Sequence, residues 1–246
     1  MNRVITLTKR NIKEILRDPL SLIFMMALPL AMEILFYFIF HSMTSQFEMN
    51  LLAPGIAVFS QAFTTLFAGL LIAVDRSTSF LTRLYVSKTK PHEFIFGYTL
   101  ALMPAVVVQS VLFFVVGGII DPSIWSVRMI FGVLLCVFTS LLYIALGILF
   151  GSVCGEKAIG GVASAVISGQ SLLSGMWFPT EGLGSGIMTF MKVLPFRNAT
   201  MLVQNAVNGY ADAFSDLILP ALIVLAYTVA AFAAAIPAFR RQMNRL

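Results

Sequence analysis

The sequence predicts an all-α integral membrane protein, and three observations carry the prediction. Of the 246 residues, 59% are hydrophobic and only 11% are charged, where a water-soluble domain carries about 25% charged residues. Six runs are long and apolar enough to cross a hydrocarbon core of about 30 Å, which takes roughly 20 residues of helix at 1.5 Å each. The basic residues between those runs collect mostly on one side.

The chain opens with an amphipathic segment, residues 1–19. At 100° per residue, Ile5, Thr8, Ile12, Ile15 and Leu16 gather on one side of a helix, and Arg3, Lys9, Arg10, Lys13 and Arg17 on another. A helix lying flat among lipid headgroups has this pattern, whereas a solvated basic tail would explain the charge but not the apolar stripe. Asp18-Pro19 suits an N-cap followed by a first-turn proline, so the chain is expected to turn into the membrane at Leu20. The apolar run that follows is too long for a signal peptide and is expected to stay.

Spans are expected at about 20–40, 53–74, 97–120, 129–154, 158–178 and 217–239. They make one transmembrane domain of residues 1–246, because the longest gap, Pro179–Asp216, is too short for a separate soluble domain. Thirteen of the 16 Lys and Arg residues precede span one, follow span six, or lie in the 2–3 and 4–5 connections. Short loops rich in Lys and Arg stay in the cytoplasm, so both termini are expected there, with the protein in a plasma or inner membrane. The net charge of +5 is then a topology signal, and nucleic acid is not an expected partner.

The 2–3 connection is unusual. In the stretch FLTRLYVSKTKPHEFIF, Phe80, Leu81, Leu84 and Tyr85 fall at i, i+1, i+4 and i+5, with Arg83 between them, before Lys90-Pro91 ends the segment. A helix this short cannot cross a bilayer, and its apolar face needs either a docking partner or the lipid interface. The 5–6 connection holds two short apolar stretches at helical spacing, Gly186–Leu194 and Asn198–Val207, separated by Pro195. They suit a re-entrant hairpin or an amphipathic surface loop.

Polar groups at membrane depth are few. Glu33 lies inside span one at a cost of about 2.5–3.5 kcal/mol on insertion scales, so it should face protein or water, either on a substrate path or in a structural bond. Gln61, Gln109 and Gln170 raise the same question. Gly147, Gly151 and Gly155 form a smooth ridge for helix packing, as do Gly161, Ser164, Ser168 and Gly169. Cys136 and Cys154 lack metal-site spacing and read as packing thiols. His41 and His92 fall on opposite faces, and no catalytic constellation accompanies the polar residues. A Gly-x-x-x-x-Gly-Lys-Ser/Thr loop is missing, and no strand precedes Gly182, Gly184 and Gly186.

In order and spacing this layout resembles the permease subunits of ABC exporters of the ABC-2 type. The likeness rests on the amphipathic Asn11–Pro19, on Arg83-Leu84 and Lys90-Pro91 in the 2–3 insert, and on Ser174-Gly175-Met176-Trp177-Phe178-Pro179 closing span five. Leu194-Pro195-Phe196-Arg197-Asn198, followed by an apolar helical patch, completes it. The resemblance implies a coupling helix at Phe80, Leu81, Arg83, Leu84 and Tyr85 that seats on a separate ABC ATPase. It further implies two ATPase copies using ATP and Mg, no cofactor on this chain, and a second copy of the chain or a homologous permease. Spans one, two and five would line a path for an amphipathic cargo such as a drug, antibiotic or lipid, with Glu33, Gln61 and Gln170 as candidate path residues. The chain departs from the family at Asp75-Arg76-Ser77-Thr78-Ser79, where members often place an acidic residue and a glycine. The rival class is a self-sufficient secondary transporter or channel using Glu33, which should show inverted repeats; the two halves have no convincing similarity.

Overall fold

The structure is a computed structural model and describes residues 2–78, 90–178, 180 and 182–243. The insert residues Phe80, Leu81, Arg83, Leu84 and Tyr85 therefore lie outside the described residues. Those described form nine α-helices and no strand. They are α1 (Asn2–Arg17), α2 (Pro19–Phe40), α3 (Met49–Ser77), α4 (Pro91–Ile120), α5 (Val127–Val153), α6 (Glu156–Leu173), α7 (Ser185–Val193), α8 (Pro195–Asn208) and α9 (Leu219–Met243). A π-helical turn, Phe214–Ile218, leads into α9.

Local chemistry sets several of these ends. Pro91 occupies the first turn of α4, where its missing N–H costs nothing, and the Glu93 carboxylate accepts the Lys90 N–H at 2.7 Å. Pro195 starts α8 in the same way, and Asn198 Nδ2 donates to Lys192 O and Leu194 O, stitching the end of α7 to it. Asn198 belongs to an Asn-Ala-Thr triplet of the kind that accepts glycans, but it is 5% exposed with its amide engaged on the backbone.

α3 is the central helix: 72% of its most apolar window is buried, against 17% for α2 and 22% for the last span. Association in lipid depends on close packing, since lipid tails are as apolar as the side chains. The first two ridge glycines supply it. A Cβ at Gly147 would lie 2.6 Å from the Thr65 carbonyl oxygen, and one at Gly151 would lie 2.7 Å from Gly69 O. Gly155 is not part of this contact: α5 ends at Val153, and Gly155 is the N-cap of α6 with nothing near its missing Cβ.

Buried amides bind the same helices together. Gln61 Nε2 donates to Cys136 O at 2.8 Å and Gln61 Oε1 accepts from Thr139, joining α3 to α5. Tyr143 OH donates to Gln170 Oε1 at 2.6 Å, and Gln170 Nε2 donates to Thr200 Oγ1 at 2.9 Å, joining α5, α6 and α8. α8 is tied in turn to the start of α3 through Gln204 Nε2 to Leu51 O and Asn208 Nδ2 to Asn50 O.

Among the described residues, five helices are long and apolar enough to cross a membrane: Leu22–Phe40, Met49–Ser77, Pro91–Ile120, Val127–Val153 and Phe214–Arg241. α6, expected as span five, has 18 residues and carries Glu156 and Lys157 in its first turn. It also stops at Leu173, short of the expected Phe178, because the chain turns at Gly175 with φ +73. The turn delivers Trp177 to an aromatic cluster, with ring centroids 4.9 Å from Phe36 and 5.8 Å from Phe59.

Candidate functional site

A charged cluster joins α1, α3 and α4. α1 lies along α4, with Leu7 in the notch left by Gly97 and Thr8 Oγ1 donating to Gly97 O at 3.3 Å. Leu7, Asn11 and Ile15 are its buried line, one helical turn apart. Of the apolar stripe expected from the sequence, Ile15 is buried, Thr8 and Ile12 are half-buried, and Ile5 and Leu16 are exposed, because α1 seats on its neighbours through the Leu7 edge. Of the basic residues, Lys9, Lys13 and Arg17 are exposed and Arg10 is half-buried.

Arg10 makes the tertiary bond. Its guanidinium donates from both Nη atoms to the two oxygens of Asp75 at 2.5 Å, a bidentate geometry that Lys could not reproduce. Tyr98 OH donates to Asp75 Oδ2, and Arg10 Nη1 also donates to Asn11 Oδ1 at 2.9 Å. Asp75 is fully buried, and three donor groups from α1 and α4 surround its two oxygens. Glu14, one turn further along α1, pairs with Arg10 at 2.5 Å. Burial raises the Glu14 pKa, and the Asp75 charge raises it further. Burial alone would lower the Arg10 pKa, yet the Asp75 bond and charge outweigh it and the value rises.

The next residue faces the other way. Arg76 Nη1 donates to Gly151 O at 2.6 Å and to Cys154 O at 2.8 Å, closing the carbonyl end of α5 where a cation is favoured. Two consecutive residues in the last turn of α3 thus fasten α1, α4 and α5 at one point. That point is three residues before the undescribed 79–89 segment.

Sequence reasoning missed this knot. It placed Asp75 and Arg76 in a loop because the apolar run stops at Val74, and it took Tyr98 as ordinary span. The available signal was a carboxylate within one turn of a span end in a chain whose basic residues crowd the same side. Among the candidate path residues, Gln61 and Gln170 are buried with their amide groups bonded as above. Glu33 is also buried, but neither carboxylate oxygen has a hydrogen-bond partner among the described residues. Its Oε1 faces α4 at the Gly117 notch, 3.2 Å from where a Cβ would stand.

No curated protein matches the chain. The family model described as ABC-2 type transporter matches residues 2–207, which runs from α1 through the knot at Asp75-Arg76 to the last turn of α8, and the chain belongs to that family.

Proposed function

We propose that this chain is the permease subunit of an ATP-driven exporter, forming with a second copy the path for an amphipathic small molecule such as a drug, antibiotic or lipid. Two copies of a separate ABC ATPase supply the energy from ATP and Mg. The observation that carries the reading is the knot: the residues just before the expected coupling helix Phe80–Tyr85 bind three other helices. A push on that helix would reach α1, α4 and α5 together through these bonds.

Six spans complete this reading. α6, at 18 residues and about 27 Å, crosses as the fifth span, and both termini are cytoplasmic. Gly160 and Gly161 on α6 have nothing within 4 Å of their missing Cβ atoms, which suits a second copy approaching there. α7 exposes Ile187, Phe190 and Val193, in keeping with a short helix dipping into the outer leaflet. Glu33 is the polar group we assign to the path, while Gln61 and Gln170 hold the helices around it.

The test is co-purification and transport with the cognate ATPase. Leu84→Asp with Arg83→Glu is expected to abolish both, and Asp75→Asn to keep the ATPase bound while transport falls at least tenfold. Unchanged co-purification and transport in the double variant would overturn the proposal. The Glu33 carboxyl, without a hydrogen-bond partner among the described residues, favours one second reading, a self-sufficient transporter; uphill transport by the subunit alone in vesicles would establish it.

A further inference from the structure

Two cavities on the described surface join into one groove. A cavity of about 840 Å³ lies between α1 and α3, with Lys9, Lys13 and Arg17 along its α1 wall and Phe67, Leu70 and Val74 on the α3 wall. A second, of about 330 Å³, lies between α2 and α3 and is lined by apolar side chains, Phe24, Leu28 and Phe63 among them. Phe67 and Leu70 belong to both.

From Val74 to Phe63 the α3 wall covers eleven residues, about 16 Å at 1.5 Å per residue. That is close to half of a hydrocarbon core of about 30 Å, the depth of one leaflet. The charge is graded along it. The three exposed cations stand at the α1 end at i, i+4 and i+8, facing the same opening, and α2 and α3 add only apolar side chains below. Glu14 and Asp18 also line the upper cavity and Arg10 is shared between Glu14 and the buried Asp75, so Lys9, Lys13 and Arg17 still leave the opening with a small positive balance.

We infer that this groove holds one anionic phospholipid, its phosphate between Lys9, Lys13 and Arg17 and one acyl chain in the α2–α3 slot. Charge complementarity selects the headgroup, and the slot depth matches one tail. The site sits beside the Arg10–Asp75 bond, so an occupied groove would brace α1 against α3. The inference rests on membrane embedding alone and is independent of any ATPase partnership.

Native mass spectrometry of the purified chain, titrated with dioleoyl phosphatidylglycerol or dioleoyl phosphatidylcholine, tests it. The wild type is expected to retain one phosphatidylglycerol per chain in preference to phosphatidylcholine. Each of Lys9→Gln, Lys13→Gln and Arg17→Gln should weaken retention about fivefold. Leu28→Trp fills the slot from a position that is 45% exposed, so the fold is preserved and retention should fall without any change of charge. Equal retention of both lipids would overturn the site. So would undiminished retention in Leu28→Trp, which would reduce the effect to surface charge. Efficient disulfide cross-linking between copies carrying Leu28→Cys would assign the slot to a second chain instead.

Discussion

Glu33 and Gln61 are both polar residues within apolar runs, and the bonds around them separate their roles. Gln61 has both ends of its amide bonded across α3 and α5, so it behaves as a strut. Glu33 has no such bond among the described residues and is fully buried, a placement that costs stability and is kept where function requires it. Glu33→Leu is therefore expected to stabilise the protein by about 1–3 kcal/mol, seen as a higher melting temperature, while export activity falls. A lower melting temperature would show instead that Glu33 holds a bond essential to the fold. The sequence located this residue and its cost, but not whether a partner would be found. Partners come from other helices, as Tyr143 and Thr200 do for Gln170.

At the scale of elements, the four-residue glycine spacing marked α5 as a packing helix, and the α3–α5 contact uses it at two of the three positions. The third differs only in lying past the end of the helix. A Cβ at Gly151 would be 2.7 Å from the Gly69 carbonyl, a backbone atom that cannot rotate away. Gly151→Val is expected to destabilise by about 1–3 kcal/mol or more, whereas Gly155→Val, in open space, should stay within about 0.5 kcal/mol of wild type. Thermal unfolding of the two purified variants makes the comparison. α1 teaches a related point. Its amphipathicity was legible, but the seat was not, because Leu7 faces a notch that exists only where Gly97 of α4 passes beneath it.

For the whole molecule, α3 sits at the centre while α2 and α6 keep open faces. Exposed Phe24, Leu28, Leu35 and Phe38 on α2 are ordinary in lipid, but a bare glycine pair on α6 leaves a flat surface that another backbone can approach. Gly161→Trp is expected to leave the subunit's melting temperature unchanged and to shift size exclusion from dimer to monomer. A dimer that persists would place the contact between copies elsewhere.

Composition and hydropathy determined the membrane class, the all-helical fold and the amphipathic start, because the bilayer imposes length and polarity on every crossing segment independently. Basic asymmetry supplied an expected orientation for the same reason. The knot at Asp75-Arg76 was decided by tertiary structure alone. Arg10, Asp75, Tyr98 and the end of α5 are separated by up to 144 residues of chain, and only packing brings three donors around one buried carboxylate.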